Sequence, residues 1–263
     1  SSDCKKCKGS NQWGDKMKWR VIPLQINNAF VNMAIDEAVS ESVAEGAAPT
    51  IRFYRWLPSA VSIGYFQGIR DEVDIDKCSE LGVHIVRRRT GGGAVYHDYG
   101  GEITYSVIAK EALFQGGIRE SYGVICSWII SGLKNLGIES EFKPINDILA
   151  GGKKISGNAQ TRRNGILLQH GTILYDLDVR KMFSVLKVGQ EKISDKLIQA
   201  VEERVTSVTR EKDIGIHELH EALVKGFTEG KEHCFEQLTS DEMNRAEELA
   251  EKRYSSEEWN YMR

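Results

Sequence analysis

Residues 87–98 read Arg87-Arg88-Arg89-Thr90-Gly91-Gly92-Gly93-Ala94-Val95-Tyr96-His97-Asp98, a strand-like segment that ends in cations and runs straight into three glycines. Glycine lets backbone N–H groups come close to an anion and point at it, and arginine adds a forked donor, so the loop suits a phosphate or a carboxylate. A flexible turn beside a solvated basic edge fits the same letters, and a glycine triplet alone does not decide between them. A second stretch, Lys153-Lys154-Ile155-Ser156-Gly157-Asn158-Ala159-Gln160, places lysine at the start of a short strand, followed by small and polar residues that permit close ligand approach. Neighbouring lysines commonly mark a solvated face. An ammonium between a carboxylate and an α-phosphate would also neutralise the charge that builds as the carboxylate attacks phosphorus, and Lys154 is the candidate.

Two smaller features join these. Gln169-His170-Gly171-Thr172 interrupts an apolar strand with a polar pair; taken by itself, His170 reads as a satisfied core histidine rather than a substrate contact. Asn146-Asp147 stands at a strand start, where nucleotide or metal binding and a plain side-chain-to-backbone turn are both open readings. Cys4-Lys5-Lys6-Cys7 has metal or redox spacing, but no second pair or histidine cluster follows it. Five cysteines, odd in number and mostly far apart, predict reduced thiols rather than a disulfide framework.

The elements that must position these residues are legible from periodicity. Val31, Ile35, Val39 and Val43 recur every fourth residue and predict a helix ended by Gly46. Segments 51–56, 60–65 and 83–88 are rich in branched and aromatic residues and read as strands, and Ile103, Tyr105 and Val107 alternate with Thr104 and Ser106 as a half-buried strand. Tyr122, Ile125, Ile129, Leu133 and Leu136 form a helical stripe. Strands are expected at 147–150 and 166–175, the second entered by the hairpin dipeptide Asn164-Gly165. Beyond residue 210 helices return, with Ile216, Leu219, Leu223 and Phe227 on one face and Thr239 and Glu242 as a capping box. Strands in the middle and helices at both ends predict an α+β fold, a mixed, largely antiparallel sheet flanked by helices.

With 263 residues, 41% of them hydrophobic, the chain is expected to form a single domain over 17–263, preceded by a polar tag or disordered extension at 1–16. A formal net charge of −3 argues against nucleic acid as a partner. The sequence holds no apolar run of about 18 residues, so no membrane association is expected and a cytoplasmic location is.

Taken together these segments resemble the lipoate-protein ligase family, whose fold is similar to biotin protein ligases and to the catalytic domain of class II aminoacyl-tRNA synthetases. The resemblance runs from Asn32-Met33-Ala34-Ile35-Asp36-Glu37 through Ile63-Gly64-Tyr65-Phe66-Gln67 and the glycine-rich stretch to Glu257-Glu258-Trp259-Asn260. It implies that Arg88 contacts phosphate, that Gly91, Gly92 and Gly93 line a lipoyl-adenylate pocket, and that Gly93, Ala94, Val95 and Tyr96, with His97 beside them, face the nucleotide. It also implies that Asn146 and Asp147 lie near the nucleotide, that Lys154 orients the carboxylate and the phosphate, and that His170 belongs to the ligand site. The implied reaction converts lipoate and ATP, with Mg2+, to lipoyl-AMP, which then acylates a lysine of a lipoyl domain. The implied acceptors are the E2 subunit of a 2-oxoacid dehydrogenase and the H protein of glycine cleavage.

Two features depart from the pattern. Many bacterial ligases carry a small additional domain after the Glu-Trp-Asn element, where this sequence reaches Arg263. That predicts a separate small accessory subunit for adenylation. Glu102-Ile103-Thr104-Tyr105-Ser106 is closer to the related octanoyltransferases, which keeps a transferase acting on an already activated acyl group as the alternative, together with a non-catalytic lipoate-binding subunit. Those transferases hold the acyl group on a cysteine, either just upstream of the lysine motif or two places before the His-Gly pair. Here these positions fall around Ile145-Asn146-Asp147 and at Leu168.

Overall fold

The structure is a computed structural model that describes residues 17–187 and 194–263. The extension 1–16, with Cys4 and Cys7, lies outside the described residues. Eleven strands are described: β1 (Trp19–Asn27), β2 (Thr50–Trp56), β3 (Ala60–Ile63), β4 (His84–Arg87), β5 (Val95–His97), β6 (Glu102–Lys110), β7 (Ser140–Lys143), β8 (Asp147–Ala150), β9 (Lys153–Arg163), β10 (Ile166–Leu174) and β11 (His233–Phe235). Eight of them form one sheet in the order β11-β1-β2-β6-β10-β9-β8-β7, and β4-β3-β5 form a smaller one. β1 runs parallel to β11 and to β2, and the remaining neighbours in the large sheet are antiparallel. The expected mixed, largely antiparallel α+β architecture is present.

Alternation along the central strands divides the large sheet into two unlike faces. Ile51, Phe53, Ile103, Tyr105, Val107, Leu167 and Ile173 turn to one side and pack on the helices Ile118–Asn135 and Ile216–Thr228 through Ile125, Ile129, Leu133, Leu219, Leu223 and Phe227. Tyr54, Trp56, Ile108, Ile166 and Leu168 turn to the other, beneath the helices Ala29–Ala44 and Ser240–Leu249. The helix 29–44 buries Ile35, Val39 and Val43 as their spacing predicts, but Val31 only in part. Asn32, Asp36 and Glu37 are buried too: the strands below carry partners for Asn32 and Asp36, and Arg89, Arg253 and Tyr254 meet Glu37. Arg52 Nη1 donates to Asp36 Oδ1 at 2.8 Å, and Ser106 Oγ donates to Asp36 Oδ2 at 2.9 Å.

Several local expectations are met in detail. Asn164 and Gly165 both adopt positive φ, 52° and 74°, the conformation of a two-residue primed hairpin turn, and they join β9 to β10. The lysine strand is not short: β9 runs eleven residues, because pairing to β8 on one side and β10 on the other carries it through its polar residues. Among the described residues Cys78 and Cys126 carry free thiols. Two helices the periodicity did not reveal, Val179–Val185 and Asp195–Glu202, bury Phe183 and Ile198 against each other.

The capping box forms as read: Thr239 Oγ1 accepts from the Glu242 amide, and Glu242 Oε2 accepts from the Thr239 amide at 2.9 Å. Glu242 also takes two hydrogen bonds from the buried Arg20 of β1, which ties the helix 240–249 to the sheet. Thr239→Ala removes the cap and leaves that ion pair in place, so a loss of about 1 kcal/mol in urea denaturation is expected. A loss several times larger would mean that the cap also positions Glu242 for Arg20.

Candidate active site

The small sheet carries the glycine loop. β4 lies parallel to β3 and β5 antiparallel to it, so residues 88–94 must turn back over the end of β3. Space there is tight. A Cβ built on Gly64 would stand 2.0 Å from the Gly92 carbonyl oxygen, so Gly64 is the residue that lets the loop lie against the chain.

The three arginines have three different roles, and no solvated basic edge results. Arg87 is fully buried and donates to the carbonyls of Gly64, Tyr65, Trp259 and Asn260, which fastens the short helix Glu257–Asn260 to the loop. Arg88 is also buried and donates to Ser62, Thr90, Gly91 and Gly93. Arg89, partly exposed, pairs with Glu37 at 3.0 Å.

Beneath the loop lies a cavity of about 370 Å³, within the size range of small-molecule sites. Of the residues singled out from the sequence, Arg88, Gly92, Gly93, Ala94, Val95, Tyr96, His97, Asn146, Lys154 and His170 line it. Gly91 and Asp147 do not. Gly91 instead presents its carbonyl to Arg88, and Asp147 Oδ1 stands 2.8 Å from Lys154 Nζ. Lys154 is half-exposed and its backbone bonds to Arg204 and Thr206, so its stem is anchored while its ammonium remains accessible.

Both histidines are held by a carboxylate. His97 Nδ1 lies 2.6 Å from Glu102 Oε1, and its Nε2 lies 2.8 Å from Ser62 Oγ. The ring stacks on Trp56 at 4.0 Å, and Trp56 Nε1 donates to Thr104 Oγ1, which donates to Glu102. His170 Nδ1 lies 3.1 Å from Asp36 Oδ2, and its Nε2 lies 2.6 Å from Thr90 Oγ1. Burial lowers the His170 pKa against the opposing pull of Asp36, so the ring is neutral near pH 7. His170 is therefore a satisfied buried histidine and a cavity wall at once.

Sequence reasoning missed Trp56, Glu102, Thr104 and Asn158, which also line the cavity. Alternation in β2 and β6 was the available signal, since Trp56 and Thr104 sit on the face opposite Phe53 and Ile103. Asn158 and Asn146 exchange hydrogen bonds with each other's carbonyls at 2.6 and 2.8 Å, and Asn158 Oδ1 accepts from Tyr105 at 2.7 Å. Met182 and Val201, from the two unforeseen helices, and Val205 beyond them also line the cavity.

Among the described residues no cysteine lines the cavity. Burial pushes the Cys126 thiol up to about 12 and the Cys78 thiol up to about 11, so neither is a thiolate at neutral pH. Cys126→Ser is expected to leave the protein's activity within about twofold of wild type, because only the thiolate is an effective nucleophile. Loss of activity in a folded variant would point to a thioester on that residue. Among the described residues no three histidine, cysteine or carboxylate side chains cluster as a metal cage, and no helix is long and apolar enough to cross a membrane.

A family profile described as the lipoyl protein ligase A/B catalytic domain matches residues 28–228. Octanoyltransferase LipM of Brevibacillus brevis is 35% identical, over 94% of this chain and 99% of that protein. Among solved structures, a bi-partite lipoate protein ligase from Thermoplasma acidophilum, studied with its E2 lipoyl domain, superposes with a TM-score of 0.84 and 36% identity, covering 93% of this chain and 96% of that one. Lipoate-protein ligase A bound with ATP superposes with a TM-score of 0.80 and 35% identity, covering 93% and 99%.

Proposed function

The chain belongs to the lipoyl protein ligase A/B catalytic domain family, and from that premise we propose that it transfers a lipoyl-type acyl group from an acyl-adenylate to a lysine of a lipoyl domain. The observation that carries this reading is the cavity wall. Lys154 lines it together with Gly92 and Gly93 of the glycine loop, and no described cysteine does. A pocket with a fixed cation and no thiolate suits an acyl group already activated as a mixed anhydride better than one that must first be taken onto sulfur.

In this account the Lys154 ammonium sits between the acyl carboxylate and the α-phosphate, with Gly92 and Gly93 beside the phosphate, Arg88 and Gly91 fixing the shape of that loop, and Ala94, Val95, Tyr96 and His97 toward the nucleotide. Asn146 and His170 complete the wall, with Asp147 behind it on Lys154. The neutral amine of the acceptor lysine attacks the acyl carbon, the bond to the phosphate oxygen breaks, the surplus amine proton passes to solvent, and AMP leaves with the negative charge that Lys154 offsets. Burial of the acyl chain excludes water from the anhydride.

The preceding half-reaction forms acyl-AMP and pyrophosphate from the free acid and ATP. Support comes from the ligase bound with ATP and from the two-part archaeal ligase, so we assign adenylation to this chain acting with a separate small subunit. Magnesium would supply charge neutralisation of the triphosphate. With no protein-built cage among the described residues, the fit is to an ion held chiefly by phosphates, with Asp147 the carboxylate at hand.

The second reading, an octanoyltransferase acting on an acyl thioester, is favoured by the LipM relatives. Lipoate-dependent exchange of labelled pyrophosphate into ATP separates the two. Exchange by the chain with a small ligase subunit is the result expected of a split ligase; no exchange under any condition, with transfer from an octanoyl thioester, would establish the transferase.

A further inference from the structure

Arg88 has five N–H groups, and all five are taken up inside the protein. Nη2 donates to the Gly91 and Gly93 carbonyls, both at 2.7 Å, and so draws the glycine loop into one shape. Nη1 donates to the Ser62 carbonyl at 3.0 Å and to Ser62 Oγ at 3.1 Å, and Nε donates to Thr90 Oγ1 at 3.1 Å. The two hydroxyls that receive Arg88 are the same two that meet the cavity histidines.

The hydrogen-bond directions follow from the carboxylates. An ionised carboxylate only accepts, so Nδ1–H of His97 is given to Glu102 and Nδ1–H of His170 is given to Asp36. Nε2 of each ring is then the atom that faces a hydroxyl. Both hydroxyl oxygens turn lone pairs toward the guanidinium, and both units are buried.

We propose that Ser62 and Thr90, with the pairs behind them, are positioning residues for the acyl ligand: two carboxylate–imidazole–hydroxyl relays, Glu102–His97–Ser62 and Asp36–His170–Thr90, converge on Arg88 and hold the guanidinium that shapes the glycine loop. The proposal rests on the loop being the ligand site proposed above. Of the two hydroxyl residues, Ser62 lines the cavity and Thr90 does not. Thr90 is fully buried and does not line the cavity, so any effect of changing it on the ligand must pass through Arg88 or His170.

The test compares Thr90→Val, which keeps the shape and loses the hydroxyl, with Thr90→Ser, which keeps the hydroxyl and loses a methyl. Two quantities are read: amide hydrogen exchange over residues 89–96 in the ligand-free protein, and KM and kcat for transfer from synthetic lipoyl-adenylate to a lipoyl domain. Loss of one charge-assisted hydrogen bond predicts loop exchange and KM each rising about tenfold in Thr90→Val, with kcat changed less than about threefold and Thr90→Ser close to wild type. The opposite order, with Thr90→Ser the worse variant, would show that Thr90 merely fills space and would overturn the assignment. Unchanged loop exchange in Thr90→Val would overturn it as well.

Ser62→Ala and Ser62→Thr make the same comparison on the second relay and decide the matter if Thr90→Val does not fold. A fall in kcat for Ser62→Ala, with KM and loop exchange unchanged, would make Ser62 a nucleophile instead and sink the positioning role. Should wild-type protein transfer nothing from lipoyl-adenylate, the functional reading fails by itself, and the exchange rates still decide the relays.

Discussion

Lys154→Ala is expected to lower acyl transfer from lipoyl-adenylate by about 10²- to 10³-fold, the usual cost of removing one preorganised group that stabilises transition-state charge. The protein should remain folded. Lys154 is half-exposed, its backbone keeps both bonds to the 204–206 segment, and its partner Asp147 has enough exposure to be solvated once left alone. The loss should fall on kcat, since the ammonium meets a phosphate that becomes more negative as the anhydride breaks. Single-turnover rates on folded protein, checked by circular dichroism, measure this directly. Transfer within about threefold of wild type would remove Lys154 from the chemistry and leave it as a surface ion pair, a class worth little in water.

Arg52→Met is expected to cost about 3–5 kcal/mol of stability in urea denaturation, because it strands a buried carboxylate. Arg52 is fully buried and donates to Asp36, to the Asn32 carbonyl and to the Asn32 side chain. Burial alone would raise the Asp36 pKa; the Arg52 charge, His170 and Ser106 overcome it and hold the carboxyl below its ordinary value. A carboxylate depressed in the folded state contributes stability above its unfolded pKa, and this is lost as pH falls through the folded value. Without Arg52 the folded value rises, so acid unfolding of the variant should begin at higher pH than that of wild type. A variant as stable as wild type, with unshifted acid unfolding, would mean that water reaches Asp36.

Much of the scaffold was legible because its signals are local. The stripe Ile125, Ile129, Leu133 needs only a helical period, Asn164-Gly165 needs only two residues that tolerate positive φ, and the Thr239–Glu242 cap closes within one turn. What escaped depends on partners distant in sequence. Nothing near Asp36 in the chain announces that Arg52, Ser106 and His170 will surround it, and Arg87 and Arg88 look alike until the strand turns one to the Glu257–Asn260 helix and the other to the glycine loop. The helices at 179–185 and 195–202 are too short for periodicity to show, yet they line the cavity through Met182 and Val201. β9 outran its expected length because pairing on both edges overrides weak strand propensity.

The site was legible in its letters and not in its assembly. Ten of the twelve expected residues line one cavity, while Gly91 and Asp147 support it from behind through Arg88 and Lys154. Trp56 was passed over because an aromatic in β2 reads as core, and Thr104 because alternation in β6 reads it as the polar face of a half-buried strand.

The account stands or falls on how the acyl group travels. The most direct measurement is intact mass of the protein, quenched during single-turnover transfer from lipoyl-adenylate to a lipoyl domain. Lipoylated acceptor forming while the enzyme keeps its unmodified mass is the predicted result. A lipoyl adduct on the enzyme that appears before the product and decays as it forms would contradict direct transfer and establish a covalent route.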